Sequence, residues 1–201
     1  DHRYLHSFPT RRSSDLAMPN DYEFDSQWSL NNTGQTINNI TGIPGFDINA
    51  AEAWDIISDC SNIIIAVIDT GVNYSHSDLM SNMWDGSSCV DESGNYLGGC
   101  IHGYDFVDHD KDPRDLNGHG THVAGIIGAS GNDSSRISGV CWTSNIIAIR
   151  AFDSNGDGST ADIVQAIEFA IQNGARIINA SWGHTIYDAA LYDAVDRKSV
   201  V

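Results

Sequence analysis

Basic residues are scarce in this sequence. Its 201 residues include 10 Lys and Arg against 27 Asp and Glu, which gives a formal net charge of −17 at pH 7. A chain this acidic repels nucleic acid and anionic membranes, so we expect neither as a partner. The excess of carboxylates indicates a solvated acidic surface, the binding of a hard cation, or both. Within residues 17–195, the basic residues are Lys111, Arg114, Arg136, Arg150 and Arg176.

Long apolar runs are also absent. No stretch of about 18 consecutive apolar residues occurs, so the sequence offers no candidate for a membrane-spanning helix. Cysteine is limited to four residues, an even number that allows three pairings. Cys89 and Cys100 bracket a loop rich in Gly and Ser and are the favoured pair. Cys141 lies in an apolar run, which favours a buried free thiol, and Cys60 is the fourth cysteine.

Both ends of the chain resemble a translated sequencing adaptor. The DNA sequence GATCGGAAGAGCGTCGTG encodes residues 196–201, and its complementary strand, read in a shifted frame, encodes residues 11–15 and begins the codon for Leu16. This DNA is similar to a common short-read adaptor, which residues 6–10 also fit. We therefore expect segments 1–16 and 196–201 to be adaptor artefacts, which leaves residues 17–195 as a single domain with its own core.

Strand and helix patterns alternate along the chain. Runs of β-branched and apolar residues predict buried strands at 63–68, at 146–149 and from 177–178 onward. Helical patterns cover four segments: 48–58, 119–129, 160–173 and 187–195. This alternation predicts an α/β fold with a mainly parallel sheet and helices on both faces.

The remaining segments lack periodicity. Residues 17–47 predict an extended arm or a loop, and the polar, Gly-rich residues 81–118 predict a loop. At the third helix, Thr160 is the expected N-cap and Gly174 lies just past the expected end.

The motif Asp69-Thr70-Gly71 places a carboxylate directly after the first predicted strand. The carboxyl ends of parallel strands are where α/β sheets form their sites, and the glycine permits a sharp turn there. A turn or helix-cap role for Asp69 is the structural alternative.

A second motif, His119-Gly-Thr-His-Val-Ala-Gly125, opens the next predicted helix. Gly118 and Gly120 flank His119, so another chain can approach its imidazole closely. His119 and His122 lie one turn apart, as a zinc pair would, but no third ligand has suitable spacing.

The two motifs resemble the Asp and His motifs of the subtilase family, the subtilisin-like serine peptidases, and the resemblance covers nearly all of residues 17–195. It implies a three-layer subtilisin-like α/β fold in which His119 is the general base, Asp69 orients it and His122 is structural. The family's Gly-Thr-Ser-Met-Ala motif and its oxyanion Asn do not occur in this sequence. We therefore expect a partial, incomplete catalytic domain, inactive as it stands, from a serine endopeptidase.

The resemblance also implies polypeptide substrates, a propeptide and secretion. Two other functions remain open at this stage. One is a catalytically inactive subtilase-fold module that binds calcium or peptide, and the other is a related peptidase with a carboxylate as its base. The intact His119 argues against the second.

By the same resemblance, an extended peptide substrate would pair with two segments of the chain. The first contains Gly156, Asp157 and Gly158, and the second contains Ser181, Trp182 and Gly183. Residues 153–158 also match the opening of an EF-hand loop. That alternative is weak because Val164 takes the twelfth position, where the loop needs a bidentate Glu.

Structural Ca²⁺ is the expected cofactor, because two groups of carboxylates resemble calcium sites of the thermitase-like branch. One group combines Asp21, Asp78 and Asp133 and would clamp the N-terminal arm to the domain, so that binding adds to stability. Its loop has Arg136 where the branch has Gly. The other group is a single loop that would be self-repelling without a cation, a solvated acidic loop being the alternative. The loop contains four carboxylates, Asp105, Asp108, Asp110 and Asp112. The resemblance implies that the first three bind through their carboxylates, whereas Asp112 and Arg114 bind through backbone oxygens.

Overall fold

A computed structural model describes residues 16–183 and 187–199 of the chain. The predictions for residues 1–15, 200 and 201 lie outside the described residues. In chain order, the described strands and helices are β1 (Thr36–Ile37), β2 (Ile40–Thr41), α1 (Ala50–Trp54), β3 (Asp59–Asp69), β4 (Gly103–Asp105), α2 (His119–Gly128), β5 (Thr143–Arg150), α3 (Thr160–Gln172), β6 (Ile177–Asn179) and α4 (Ala189–Ser199).

A parallel sheet of four strands, in the order β4-β5-β3-β6, forms the centre of the fold. Successive side chains of β3 point to opposite faces of the sheet. Ala66 and Ile68 therefore pack in one apolar cluster with residues of α3 and α4, whereas Val67 packs in another with residues of α2. Both faces are covered by helices, which confirms the predicted three-layer α/β architecture. Of the helices described, none is both long and apolar enough to cross a membrane.

Two small strand features lie in segments that were predicted as arm or loop. The hairpin of β1 and β2 turns at Asn38 and Asn39, both with positive φ, as a two-residue hairpin turn requires. β4 is a three-residue edge strand of the main sheet, paired in parallel with β5. Strands this short contain too few residues to leave a periodic pattern in the sequence.

The ends of several elements differ from the prediction. α1 spans only Ala50–Trp54, and β3 begins at Asp59 rather than at residue 63. The N-cap of α3 is Ser159, whose hydroxyl accepts a hydrogen bond from Asp162 N at 3.1 Å, so the assignment of Thr160 to that position was wrong. Gly174 lies just past the helix, with φ +82°, as predicted.

The four cysteines form two disulfides. The pairing of Cys89 with Cys100 confirms the favoured prediction. The prediction of a free thiol at Cys141 was wrong, because Cys141 pairs with Cys60. The register explains this pair: Asp59, at the start of β3, lies opposite Thr143, at the start of β5. Cys60 follows Asp59 and Cys141 lies two residues before Thr143, so the two cysteines come together.

Candidate active site

Asp69 is the last residue of β3, and the chain around it is tightly held. Its side chain is buried, and Oδ1 accepts a hydrogen bond from Thr70 N at 2.7 Å. Its carbonyl oxygen accepts a hydrogen bond from Ala151 N at 2.9 Å, which anchors the strand end to the residue after β5. Gly71 has φ +98°, and a Cβ there would lie 2.6 Å from the carbonyl oxygen of Pro113. The turn after Asp69 therefore requires glycine.

His119 is the first residue of α2 and contacts Asp69. Its Nδ1 lies 2.7 Å from Asp69 Oδ1, while about half of its side chain (51%) is exposed. A carboxylate in this position holds the proton on Nδ1 and leaves Nε2 free to accept another proton. The pair therefore combines a buried, orienting carboxylate with an accessible base.

Close packing of α2 on the end of β3 makes this contact possible. A Cβ at Gly120 would lie 2.1 Å from the carbonyl oxygen of Gly71 and 3.1 Å from Asp69 Oδ1. Only a residue without a side chain lets the helix approach this near. The glycine after His119 thus has a structural reason in addition to the openness expected from the sequence.

The first predicted substrate segment lies beside this pair. Residues 153–157 form a turn in which the Asp153 carboxylate accepts hydrogen bonds from the backbone N–H groups of Asn155 and Asp157. These backbone donors lower the pKa of Asp153. Asn117 donates a hydrogen bond to the carbonyl oxygen of Ser154 at 2.9 Å, which ties the turn to the loop preceding His119.

Both glycines of this segment have distinct surroundings. A Cβ at Gly156 would meet no atom within 4 Å, whereas one at Gly158 would lie 2.6 Å from the carbonyl oxygen of Ala151. Asp157 between them is exposed. The segment therefore presents an open backbone on one side and packs against the chain after β5 on the other.

The second predicted segment borders β3 from the opposite side. The indole N–H of Trp182 donates a hydrogen bond to the carbonyl oxygen of Ile68 at 3.0 Å, and its ring packs against Phe152. Ser181 and Gly183 are exposed. The side chain of Trp182 thus packs against the protein, so any role in substrate binding at this position falls to its backbone.

The N-terminal arm brings Asp21 to the loop around Asp133, as the calcium prediction requires. Asp21 Oδ2 accepts a hydrogen bond from Asn132 N at 2.7 Å, and Asp78 Oδ1 accepts one from Ser135 Oγ at 2.5 Å. The other carboxylate oxygens of Asp21 and Asp78 are buried without a hydrogen-bond partner. Burial and these two neighbouring carboxylates raise the pKa of Asp133.

No three His, Cys, Asp or Glu side chains of the described residues converge closely enough to form a ready metal site. This applies to the suggested zinc pair at His119 and His122 as well as to the carboxylates. A calcium ion, by contrast, takes backbone carbonyl oxygens and water among its six to eight ligands.

The acidic loop at residues 105–112 contains an ion pair that sequence reasoning missed. The guanidinium of Arg150 donates hydrogen bonds to Asp105 Oδ2 at 2.6 Å and to Asp108 Oδ2 at 2.5 Å. Burial lowers the pKa of Arg150, but these two carboxylates raise it more. Arg150 thus already compensates two of the charges for which calcium was predicted, and a calcium site in this loop stays a prediction.

Asp110 and Asp112, in the same loop, have other hydrogen-bond partners. Asp110 Oδ1 accepts a hydrogen bond from the backbone N–H of Asp112 at 2.9 Å, and Asp112 Oδ1 accepts one from the Tyr74 hydroxyl at 2.6 Å. Asp110 and Asp112 thus have hydrogen-bond partners other than Arg150.

Sequence reasoning also missed two polar residues beside the Asp69–His119 pair. The Thr70 hydroxyl accepts a hydrogen bond from Gly120 N at 3.0 Å and donates one to Asp115 Oδ1 at 2.9 Å. The available signals were weak: a hydroxyl directly after Asp69, and a carboxylate four residues before His119. Neither spacing is specific without the tertiary structure.

A parallel sheet covered by helices on both faces, with a carboxylate and an imidazole in contact at the carboxyl ends of its strands, defines an α/β protein with a candidate acid–base site. Comparison with known sequences narrows this class, because the subtilase family profile matches residues 60–201. The chain therefore belongs to the subtilase family.

Individual relatives agree with this assignment. The thermophilic serine proteinase of Bacillus sp. (strain AK1) is 40% identical over 187 residues, which is 90% of this chain and 40% of that protein. Thermitase of Thermoactinomyces vulgaris is 37% identical over 149 residues, which is 74% of this chain and 47% of that protein. The chain thus spans less than half the length of these two relatives.

Among solved structures, a cold-adapted subtilisin-like serine proteinase superposes with a TM-score of 0.58 at 29% identity. The match covers 85% of this chain and 51% of that one. These relatives confirm the resemblance to the subtilases and to their thermitase-like branch.

Proposed function

We propose that this chain is the acid–base half of a serine endopeptidase site, in which Asp69 and His119 act with a serine that is not among its 201 residues. The observation that carries the proposal is the 2.7 Å contact between Asp69 Oδ1 and His119 Nδ1. The proposal is also supported by membership of the subtilase family and by similarity to a thermophilic serine proteinase and to thermitase.

The residues of this chain have definite tasks in the proposed reaction. His119 Nε2 takes the proton of the attacking hydroxyl and later returns it to the leaving amine. Asp69 keeps the ring in the correct tautomer and stabilises the imidazolium that forms during attack. Because Asp69 is buried, water does not compete for the oxygen that contacts His119.

Polypeptides are the proposed substrates. The segments containing Gly156 and Gly183 lie on two sides of the strand that carries Asp69, and both have open backbone at a glycine. An extended peptide laid between them would pair through main-chain hydrogen bonds, as in strand addition. A propeptide that occupies the same groove is part of the proposal.

The test uses a chain extended through its serine-bearing segment and a fluorogenic peptide. We expect His119→Ala to abolish turnover and Asp69→Asn to lower kcat by about 10⁴-fold, while both variants stay folded. Asp91→Asn, in a loop away from the site, is the matched control and should keep full activity. Undiminished turnover in folded His119→Ala would remove the base from the mechanism.

The alternative is an inactive subtilase-fold module that binds calcium or peptide. The extended chain would then hydrolyse no peptide in any variant, while a peptide would still bind. Replacement of the serine motif in the downstream sequence would point to the same outcome.

We further propose structural Ca²⁺ at Asp21, Asp78 and Asp133. The two buried carboxylate oxygens that lack partners, one each on Asp21 and Asp78, support this site. Besides burial, Asp21 and Asp78 raise the pKa of Asp133, as neighbouring carboxylates that repel one another do, and a hard cation among the three would offset that repulsion. Bound there, calcium would join the arm at Asp21 to the loop at Asp133.

Secretion is proposed on the basis of the two disulfides. Disulfides persist in oxidising compartments and are rare in the cytosol. The pairs Cys60–Cys141 and Cys89–Cys100 together use all four cysteines of the chain.

A further inference from the structure

Helix α2 begins at the active site without an N-cap side chain of its own. Its N-cap residue is Gly118, with φ +108°, and no side chain of that residue can accept a hydrogen bond. The first N–H groups of a helix nevertheless need partners. Here they are supplied from outside the helix: His119 N donates to Asn117 Oδ1, Gly120 N donates to Thr70 Oγ1, and Thr121 N donates to a carboxylate oxygen of Asp115.

Asp115 is the centre of this arrangement, because its carboxylate accepts five hydrogen bonds. Oδ1 accepts from Thr70 Oγ1 at 2.9 Å, from Asn117 N at 2.9 Å and from Gly118 N at 2.8 Å. Oδ2 accepts from Thr121 N at 2.9 Å and from Thr121 Oγ1 at 2.5 Å. Both oxygens are therefore fully engaged by donors from three parts of the chain.

The charge of Asp115 is stabilised by these contacts. Burial by itself would raise its pKa, but the donors at Gly118, Thr121 and Asn117 outweigh burial and lower the pKa. A carboxylate beside the first turn of a helix is also favoured by the helix dipole. Asp115 is thus a stable anion at the N-terminus of the helix that carries His119.

Two of the residues that donate to Asp115 lie at the two segments that meet at the site. Thr70 directly follows Asp69 at the end of β3, and Thr121 lies in the first turn of α2, two residues after His119. The Thr121 hydroxyl also accepts a hydrogen bond from Asn73 N at 2.9 Å, which adds a second tie between the turn after β3 and α2. Asp115 therefore links the acid-bearing strand to the base-bearing helix.

We propose that Asp115 is a positioning residue that sets the orientation of His119 toward Asp69 through Thr70 and the first turn of α2. This inference rests on the proposed function, since it assigns a task to Asp115 only if the Asp69–His119 pair performs the chemistry. The rival role is that of a helix cap, which would stabilise α2 without affecting the imidazole.

The experiment measures the proton on His119 Nδ1 by NMR in the isotopically labelled 201-residue chain. Asp69→Asn is the reference and should abolish the downfield signal of that proton. In Asp115→Asn, an amide N–H₂ replaces one acceptor oxygen and faces donors, so the first turn of α2 shifts. We expect the signal of the His119 Nδ1 proton to disappear, or that proton to exchange with solvent at least about tenfold faster. The remaining signals should be those of a folded protein.

A second variant keeps the inference testable if Asp115→Asn does not fold. Thr70→Val removes one hydroxyl, retains its size and leaves the other four hydrogen bonds of Asp115 in place. It should also speed the exchange of the His119 Nδ1 proton with solvent. The effects of Thr70→Val and Asp115→Asn should not add, because both variants disrupt the hydrogen bond between Thr70 and Asp115. The matched control is Asp91→Asn, which replaces a carboxylate that caps an exposed loop.

The outcomes separate this inference from the proposed function. An Asp69-dependent signal that is unchanged in both Asp115→Asn and Thr70→Val would overturn the positioning role alone. A wild-type chain without any Asp69-dependent signal would overturn both. In a serine-bearing extended chain, Asp115→Asn should lower kcat by about tenfold or more with little change in KM, because misplacement of the base acts on the reaction rather than on binding.

Discussion

Arg150 Nη1 lies 2.6 Å from Asp105 Oδ2, and both side chains are almost completely buried. The pair joins the last residue of β5 to the last residue of β4, and Asp69 likewise lies at the carboxyl end of its strand. It therefore anchors the edge strand of the sheet with a charge contact rather than with apolar packing alone.

Removing Arg150 should destabilise the fold strongly. Arg150→Leu would leave Asp105 as a buried charge without its partner, which typically costs about 3–5 kcal/mol. Chemical unfolding followed by circular dichroism measures this loss. Asp108→Asn is the control: the Asp108 side chain is 61% exposed, so losing its contact should cost at most about 1 kcal/mol. Equal losses in the two variants would contradict the assigned role of burial.

The disulfide of Cys60 and Cys141 should contribute more stability than that of Cys89 and Cys100. The first closes 81 residues and the second closes 11. In the chain-entropy description these values correspond to about 4.5 and about 3 kcal/mol. Urea unfolding of Cys60→Ser/Cys141→Ser and of Cys89→Ser/Cys100→Ser compares them. A larger loss of unfolding free energy in the second variant would mean that loop entropy does not determine the contributions of these disulfides to stability.

Gly120 should be intolerant of any side chain. Gly120→Ala would place Cβ against the carbonyl oxygen of Gly71, so α2 would have to move away from β3. We expect a loss of about 1–3 kcal/mol together with loss of the Asp69–His119 contact.

Gly125→Ala, in the same helix, provides the control for this prediction. Its nearest neighbour would be Ile137 Cδ1 at 3.7 Å, an ordinary contact, so this variant should be neutral or slightly stabilising. Thermal melts and the NMR signal of His119 distinguish the two variants, and equal behaviour would argue against the close approach at Gly120.

Asp115 should make stability depend on pH in acid. Hydrogen bonds hold its folded pKa below the unfolded value of about 3.9, so the folded state favours the ionised form. The stabilisation is complete above the unfolded pKa and is lost as the pH falls through the folded pKa. The free energy of unfolding should therefore differ most between wild type and Asp115→Asn above about pH 4, and least in strong acid. A difference that does not vary between pH 2 and pH 7 would contradict this assignment.

Calcium should raise the melting temperature if it binds at Asp21, Asp78 and Asp133. At a concentration 100-fold above Kd, binding to the folded state alone adds about 2.7 kcal/mol, and chelation should remove that increment. Asp78→Asn should abolish the response, whereas Asp110→Asn, in the other acidic loop, should retain it. A melt that chelator leaves unchanged would rule out structural calcium.

Periodicity and short motifs were sufficient for the outline of this protein. Continuous β-branched runs can be stable only where both faces of a strand are covered, so β3 and β5 were predictable as central strands. Asp69 and His119 were recognisable as candidates for local reasons: Asp69 ends a continuous apolar run two residues before Gly71, and His119 lies between Gly118 and Gly120 at the start of a helical pattern. Family motifs then assigned their roles.

Other features depend on contacts between residues that are far apart in the sequence. Cys60 and Cys141 come together only through the register of β3 with β5, and the apolar neighbours of Cys141 gave the opposite prediction. The same holds for Arg150, whose burial between two carboxylates could not be inferred from a position at the end of a strand.

Local chemistry thus determined which segments form strands and helices, and which two side chains are the candidate catalytic residues, because propensity, glycine placement and motif spacing are properties of neighbouring residues. Only the tertiary structure decided the pairing of Cys60 with Cys141, the partners of Arg150 and the five-donor environment of Asp115. Each of these depends on how distant segments approach one another, and that approach is set by the packing of the helices on the sheet.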